Sequence, residues 1–89
     1  MRTIEKQMLQ AINTGSNWRK DNTEVVHVNG IAQVYLHGHH IASIYGDVEP
    51  NLATLAAWPT ATTKSRLRAL GVNVYTKNHI TYVDGEAVA

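Results

Sequence analysis

The side chains best suited to metal chemistry are histidines, and three of them, His37, His39 and His40, fall within four positions. Imidazole is a common zinc ligand. A two-residue turn at Gly38-His39 would bring His37 opposite His40 across two strands. A carboxylate such as Asp47 could then complete a metal site.

A three-residue turn gives the same segment a different geometry. It places His40 opposite Leu36, and it puts Ala42 and Ile44 on the face of the sheet that also carries Val34. Because this arrangement gives a better apolar face, we favour a polar turn with solvated or capping histidines. We assign no metal ligand and expect no cofactor.

A second group of candidate residues is basic and lies in the segment WPTATTKSRLRALG. On a helix, Lys64 and Arg68 lie four positions apart on one face, whereas Arg66 lies near the apolar edge. The threonines at the start of this helix and its first amides could meet a phosphate. Lys64, Arg66 and Arg68 are therefore candidate nucleic-acid contacts, and a solvated basic face is the ordinary alternative.

Motifs of known catalytic sites are missing from the sequence. It contains no GxSxG, Walker, GxGxxG or HExxH pattern, and its Ser, His and Asp residues occur at no characteristic spacing. We therefore expect no enzymatic activity and assign no catalytic residue.

Size and composition bound the fold. A chain of 89 residues with 44% hydrophobic and 17% charged residues is typical of one globular domain, which we place at residues 1–89. There is no cysteine, and no apolar run approaches the roughly 18 residues that would span a bilayer. We expect a cytoplasmic protein that does not contact membranes. The net charge of +1 is too small to attract a polyanion by overall field.

The first elements are predicted from periodicity. Apolar residues at helical spacing indicate a helix over Thr3 to Asn13, capped by Thr3 and ended by Gly15. After a polar link, the segments Glu24 to Val28 and Ile31 to Leu36 meet at Asn29-Gly30, a strong hairpin signal. This turn sets Val25 opposite Val34 and places Ala32 and Leu36 on the same face.

The second half is predicted to continue the sheet and add a helix. We expect a third strand at Ile41 to Tyr45, and for residues 48–58 we favour a fourth strand despite Pro50. A helix over Thr60 to Leu70 ends at Gly71, and strands follow at Val72 to Thr76 and Ile80 to Val83. The fold class is α+β: an antiparallel meander, extended by the last strands, with two helices on one face.

The predicted register also assigns faces. The residues expected to be buried are Val25, Val34, Leu36, Ile44, Leu67 and Leu70. Trp18 and Trp58 are expected to close the ends of the core. On the outer face, Val28, Gln33 and Tyr35 form a candidate protein interface that would suit self-association.

Three segments, YLHGHHIASI, AAWPTATTKSRLRALGV and NVYTKNHITYVDG, resemble small accessory proteins encoded by tailed bacteriophages. The resemblance covers Met1 to Gly85, and its most specific part is the block from Trp58 to Leu67. Relatives often have Asn at the position of Arg68. The family carries no activity to transfer, so the resemblance implies a phage gene product made in the infected bacterial cytoplasm.

These observations favour a non-enzymatic binding module. Its expected partner is a host or phage protein, or a second copy of the same chain. The alternative is a nucleic-acid-binding module that uses the basic second helix. The near-neutral charge favours the protein partner.

Overall fold

Two antiparallel sheets and three helices make up the fold of residues 1–88, which the computed structural model describes. The α+β class and the meander are confirmed. The elements in chain order are α1 (Thr3–Thr14), β1 (Trp18–Lys20), β2 (Thr23–Val28), β3 (Ile31–Leu36), β4 (His39–Tyr45), β5 (Asp47–Pro50), α2 (Leu52–Ala57), α3 (Ala61–Ala69), β6 (Val74–Lys77), β7 (Ile80–Val83) and β8 (Glu86–Ala87).

The first hairpin has the predicted register. Val25 pairs with Val34, and Val28 pairs with Ile31 across the Asn29-Gly30 turn. Both turn residues have positive φ, 51° and 79°, as a type I′ turn requires. This turn twists in the same sense as the strands, so it fixes which residues face the core.

The second hairpin reaches the expected core by a different route. Its two-residue turn is His37-Gly38, both with positive φ, and Leu36 pairs with His39. The register then shifts between Val34 and Tyr35, a β-bulge that leaves Val34 opposite Ala42. Neither of the two turns considered from the sequence is correct. The observed turn is one residue shorter than the favoured one, and an extra residue within β4 restores the apolar face.

The segment at residues 48–58 was predicted as a strand, which is wrong beyond Pro50. β5 ends at Pro50, and Leu52–Ala57 is a helix. The Asn51 side chain caps this helix, since its Oδ1 accepts a hydrogen bond from the Thr54 amide at 3.1 Å. Pro lacks an amide donor, which suits the outermost strand of a sheet.

The prediction that the last strands extend the meander is wrong. They form a separate sheet in the order β6-β7-β8. Two helices, α2 and α3, intervene between β5 and β6. β6 is tied to α3, because Arg68 Nε donates to the carbonyl of Val74 at 2.9 Å. The polar link after α1 also contains a strand that was not predicted, β1, which pairs with β2.

The helix ends follow the sequence in part. Thr60 caps α3 and accepts a hydrogen bond from the Thr63 amide at 3.1 Å. Gly15 and Gly71 have positive φ, 69° and 97°, just after α1 and α3, as predicted. Thr3 is not the cap of α1, because the preceding residue, Arg2, occupies that position.

The core lies between the helices and one face of the five-stranded sheet. Its fully buried side chains include Met8, Val25, Val34, Ile41, Leu55 and Leu67. Ile44 and Leu70 are only partly buried and pack against this cluster. Trp58 is 50% exposed and stacks on His39, so the prediction that it closes the core is wrong.

A buried ion pair connects the two longest helices. Arg66 Nη1 lies 2.9 Å from Glu5 Oε2, and both side chains are at most 4% exposed. The Arg66 Nε also donates to Thr23 Oγ1 of β2 at 3.1 Å. One guanidinium therefore joins α3 to α1 and to the sheet.

The same ion pair sets the ionisation of Glu5. Burial opposes ionisation, but hydrogen bonds from Ser65, the Arg2 amide and Arg66, with the positive charge of Arg66, outweigh it. The pKa of Glu5 is therefore held below its ordinary value.

Removing core volume at Leu67 tests the helix packing. Leu67→Ala should lower the free energy of unfolding by about 2–5 kcal/mol, because it removes a fully buried side chain and leaves a cavity. Urea unfolding at neutral pH measures the change. Leu52→Ala is the matched control, since Leu52 is 48% exposed and should cost less than about 1 kcal/mol. Equal costs would contradict the assigned face.

Neutralising Glu5 tests the ion pair. Glu5→Gln should cost about 3–5 kcal/mol near pH 7, because Arg66 would be left buried without its anion. In the unaltered protein, the contribution of the lowered pKa is fully present above the ordinary Glu pKa of about 4.3 and is lost as pH falls through the lowered value.

The pH dependence supplies the control for this prediction. Urea unfolding should show the unaltered protein losing stability below about pH 4.3 more steeply than Glu5→Gln does. Glu86→Gln, at an exposed position, should leave the curve nearly unchanged. A Glu5→Gln curve parallel to that of the unaltered protein would contradict the assignment.

Candidate interaction surfaces

The three basic candidates do not form one exposed patch. Arg66 is 3% exposed and is occupied by Glu5 and Thr23, so its proposed contact with nucleic acid is corrected: the charge serves the ion pair. Lys64 Nζ donates to Thr76 Oγ1, and Arg68 Nε donates to the Val74 carbonyl. Lys64 and Arg68 remain near the surface, but each is anchored to β6.

The histidine turn separates its three imidazoles. His37 lies in the turn itself, and His39 stacks on Trp58 with ring centroids 4.3 Å apart. His40 points to the outer face of the sheet, where it lies edge-on to Tyr35. In residues 1–88, no three His, Asp or Glu side chains are placed so that they could hold a metal ion.

The most connected polar group of the outer face centres on His40. Its Nε2 lies 2.7 Å from Gln33 Oε1 and 2.9 Å from Ser43 Oγ. Ser43 Oγ donates to the same Gln33 oxygen at 2.6 Å. The other ring nitrogen, Nδ1, lies 3.0 Å from Asn51 Nδ2. Strands β3 and β4 and the start of α2 therefore meet at one imidazole.

The cap of α2 determines the tautomer of His40. Asn51 Oδ1 faces the Thr54 amide, so the amide group that faces the ring is the donor Nδ2. Nδ1 must accept this hydrogen bond, and the ring proton is therefore on Nε2. Nε2–H then donates toward Gln33 Oε1.

This polarity is opposite to that of a serine nucleophile with a histidine base. In such a pair the imidazole nitrogen next to the hydroxyl is unprotonated and accepts its proton. Here the nitrogen next to Ser43 carries the proton, and Ser43 donates to Gln33. The arrangement positions side chains and holds β4 to α2.

An apolar row lies beside this group on the same face. Val28 pairs with Ile31, and Tyr45 follows the Ala32–Ile44 pair, next to Ile31. Val28 is 50% exposed and Tyr45 is 75% exposed. We call Val28, Ile31 and Tyr45 the apolar row. Its side chains project from the side of the sheet opposite the core.

The interface predicted from the sequence therefore needs revision in its members. Val28 is exposed as expected, but Gln33 is engaged with His40 and Ser43, and Tyr35 is partly buried against His40. Tyr45, the most exposed side chain of the row, was not included. The alternation along β4 could have identified it, because Ser43 and Tyr45 share a face.

Comparison with known protein families identifies a relationship over the length of the chain. A family model described as Kyanoviridae Gp96 protein matches residues 1–89. No curated protein and no solved structure matches the chain. In residues 1–88, none of the helices has the length and apolarity needed to cross a bilayer.

A single substitution tests the tautomer of His40. Asn51→Asp keeps the side-chain oxygen that caps α2 but puts a second oxygen, an acceptor, against His40 Nδ1. Nδ1 should therefore carry a proton in this variant. Nitrogen-15 NMR of the imidazole distinguishes the two tautomers.

The unaltered protein should show the Nε2–H form of His40, and Asn51→Asp should not. Thr54→Ala is the control, because it changes only the side chain. The backbone amide of residue 54 still donates its hydrogen bond to Asn51 Oδ1. An Nδ1–H ring in the unaltered protein would contradict the hydrogen-bond assignment.

Proposed function

Because this chain belongs to the Kyanoviridae Gp96 protein family, a family of cyanophage proteins, we propose that it works in the cytoplasm of the infected host cell as a non-enzymatic accessory module. Its activity is to bind a protein through the outer face of the five-stranded sheet. The partner is a host protein, another phage protein or a second copy of the chain.

The observation that carries this proposal is the exposure of the apolar row. The helices pack on the other side of the sheet, where they contribute Met8, Leu55 and Leu67 to the core. The helices therefore do not shield the apolar row from solvent. Tyr45 at 75% exposure is costly to leave in water and well suited to an interface, where Tyr is enriched.

The surroundings of the row support a specific rather than a diffuse contact. The group of His40, Gln33 and Ser43 lies directly alongside and is already hydrogen-bonded internally. Side chains that are held before binding lose little conformational freedom on binding. An apolar centre beside ordered polar groups is the usual composition of a protein interface.

Charge favours a protein partner over a nucleic acid. The net charge is +1, and Arg66 is buried in the ion pair with Glu5. Lys64 and Arg68 are both engaged with β6. Contact with a phosphate backbone usually draws on several free cations.

Charged substitutions in the apolar row test the proposal. Val28→Glu with Tyr45→Glu should abolish partner binding, because carboxylates would have to be desolvated at the centre of the interface. Sedimentation of the purified protein detects a second copy as partner. Affinity capture from infected-cell lysate, with mass spectrometry, detects a host or phage partner.

Ile80→Glu is the matched control, since Ile80 is 44% exposed on the other sheet. It should leave both readouts unchanged, and thermal melts should show all variants folded. Equal capture and equal sedimentation for the double variant and the unaltered protein would contradict the proposal.

The nucleic-acid alternative is an outcome of the same experiment. Capture that disappears after nuclease treatment would favour it, as would a gel shift with duplex or single strand at about 50 mM salt, where electrostatic binding is strongest. Lys64→Ala with Arg68→Ala should then weaken the shift and flatten its salt dependence. We expect no shift.

A further inference from the structure

A cleft of about 680 Å³ lies between the start of α2 and the terminal hairpin of β7 and β8. Its apolar lining comes from both sides, with Leu52 and Ala53 from α2 and Val83 and Ala87 from the hairpin. Leu52 is 48% exposed there. Concave apolar surface of this size is typical of a binding groove.

The charges at this cleft have one sign. Of the side chains that line it in residues 1–88, those with a charge are the carboxylates Glu49 of β5, Asp84 of the β7–β8 turn and Glu86 of β8. All three are exposed. The whole chain carries +1, so this group of carboxylates is a local feature opposite in sign to the net charge, and it favours cationic ligands.

The shape of the site suits an extended chain. β8 is the outermost strand of its sheet and two residues long, so its free side offers an extended peptide a short stretch of backbone N–H and C=O groups. The walls are formed by small side chains such as Ala53 and Ala87, which allow a backbone to approach closely.

We propose that this cleft binds an extended cationic peptide segment of a partner protein. The apolar side chains of the segment lie over Leu52 and Ala53, and its Lys or Arg side chains lie at Glu49, Asp84 and Glu86. This surface is separate from the apolar row and does not depend on the function proposed for it.

Titration of the nitrogen-15-labelled chain with a capped peptide, KVKLKV, tests the site by NMR. Amide signals of Ala53, Val83 and Ala87 should shift, and the affinity should fall as ionic strength rises from about 0.01 to 0.15 M, because exposed charges are then screened. The acidic counterpart EVELEV should cause no shift. Equal shifts with both peptides, or shifts centred elsewhere, would overturn the proposal.

Two variants separate the role of charge from that of shape. Glu49→Gln with Asp84→Asn and Glu86→Gln should weaken binding of KVKLKV about tenfold, since three exposed ion pairs are lost. Asn tolerates the positive φ of Asp84, 51°. Ala53→Trp should block the cleft while leaving its charges in place.

The variant with Val28→Glu and Tyr45→Glu should bind KVKLKV as the unaltered protein does, so the two surfaces are tested independently. Thermal melts establish that each variant is folded. Unchanged affinity in both the charge-neutralised variant and Ala53→Trp would refute the peptide site.

Discussion

The burial of Arg66 is the constraint on which the arrangement of helices and sheet depends. A guanidinium removed from water is stable only if its donors are met, and here Glu5 and Thr23 meet them from α1 and β2. Hydrophobic contacts between helices and a sheet permit many relative positions. The directional bonds of one charged group select a single position, because any slip would leave a buried charge unpaired.

The sequence was informative where local chemistry decides the structure. Asn29-Gly30 specified a turn and its register, and Gly15 and Gly71 marked helix ends. The His37-Gly38 turn was missed because few residues other than glycine adopt positive φ, although His, like Asn and Asp, does so more often than most. The bulge in β4 was also missed. It compensates for the short turn, and the alternation of apolar and polar residues along a strand does not determine how long a turn is.

The candidate surfaces were less predictable because they depend on contacts between distant residues. Arg66 was grouped with Lys64 and Arg68 as a surface cation. The sequence did contain a signal. Glu5 lies one turn before Met8 on the apolar face of α1, and Arg66 lies near the apolar edge of α3, so opposite charges were placed on the core-facing sides of two helices. The position of Tyr45 followed from strand alternation, whereas the cleft beside α2 required the separate second sheet, which no local pattern indicated.

The hairpin connections of the meander have a consequence for the order of assembly. From Trp18 to Pro50, each strand pairs with the next along the chain, so these contacts close short loops at low entropic cost. Glu5 and Arg66 are 61 positions apart. The contacts within the sheet are local in sequence, whereas the ion pair joins residues that are far apart in the chain. Once the sheet between them is ordered, the flexible loop that must close to bring α1 and α3 together is shorter.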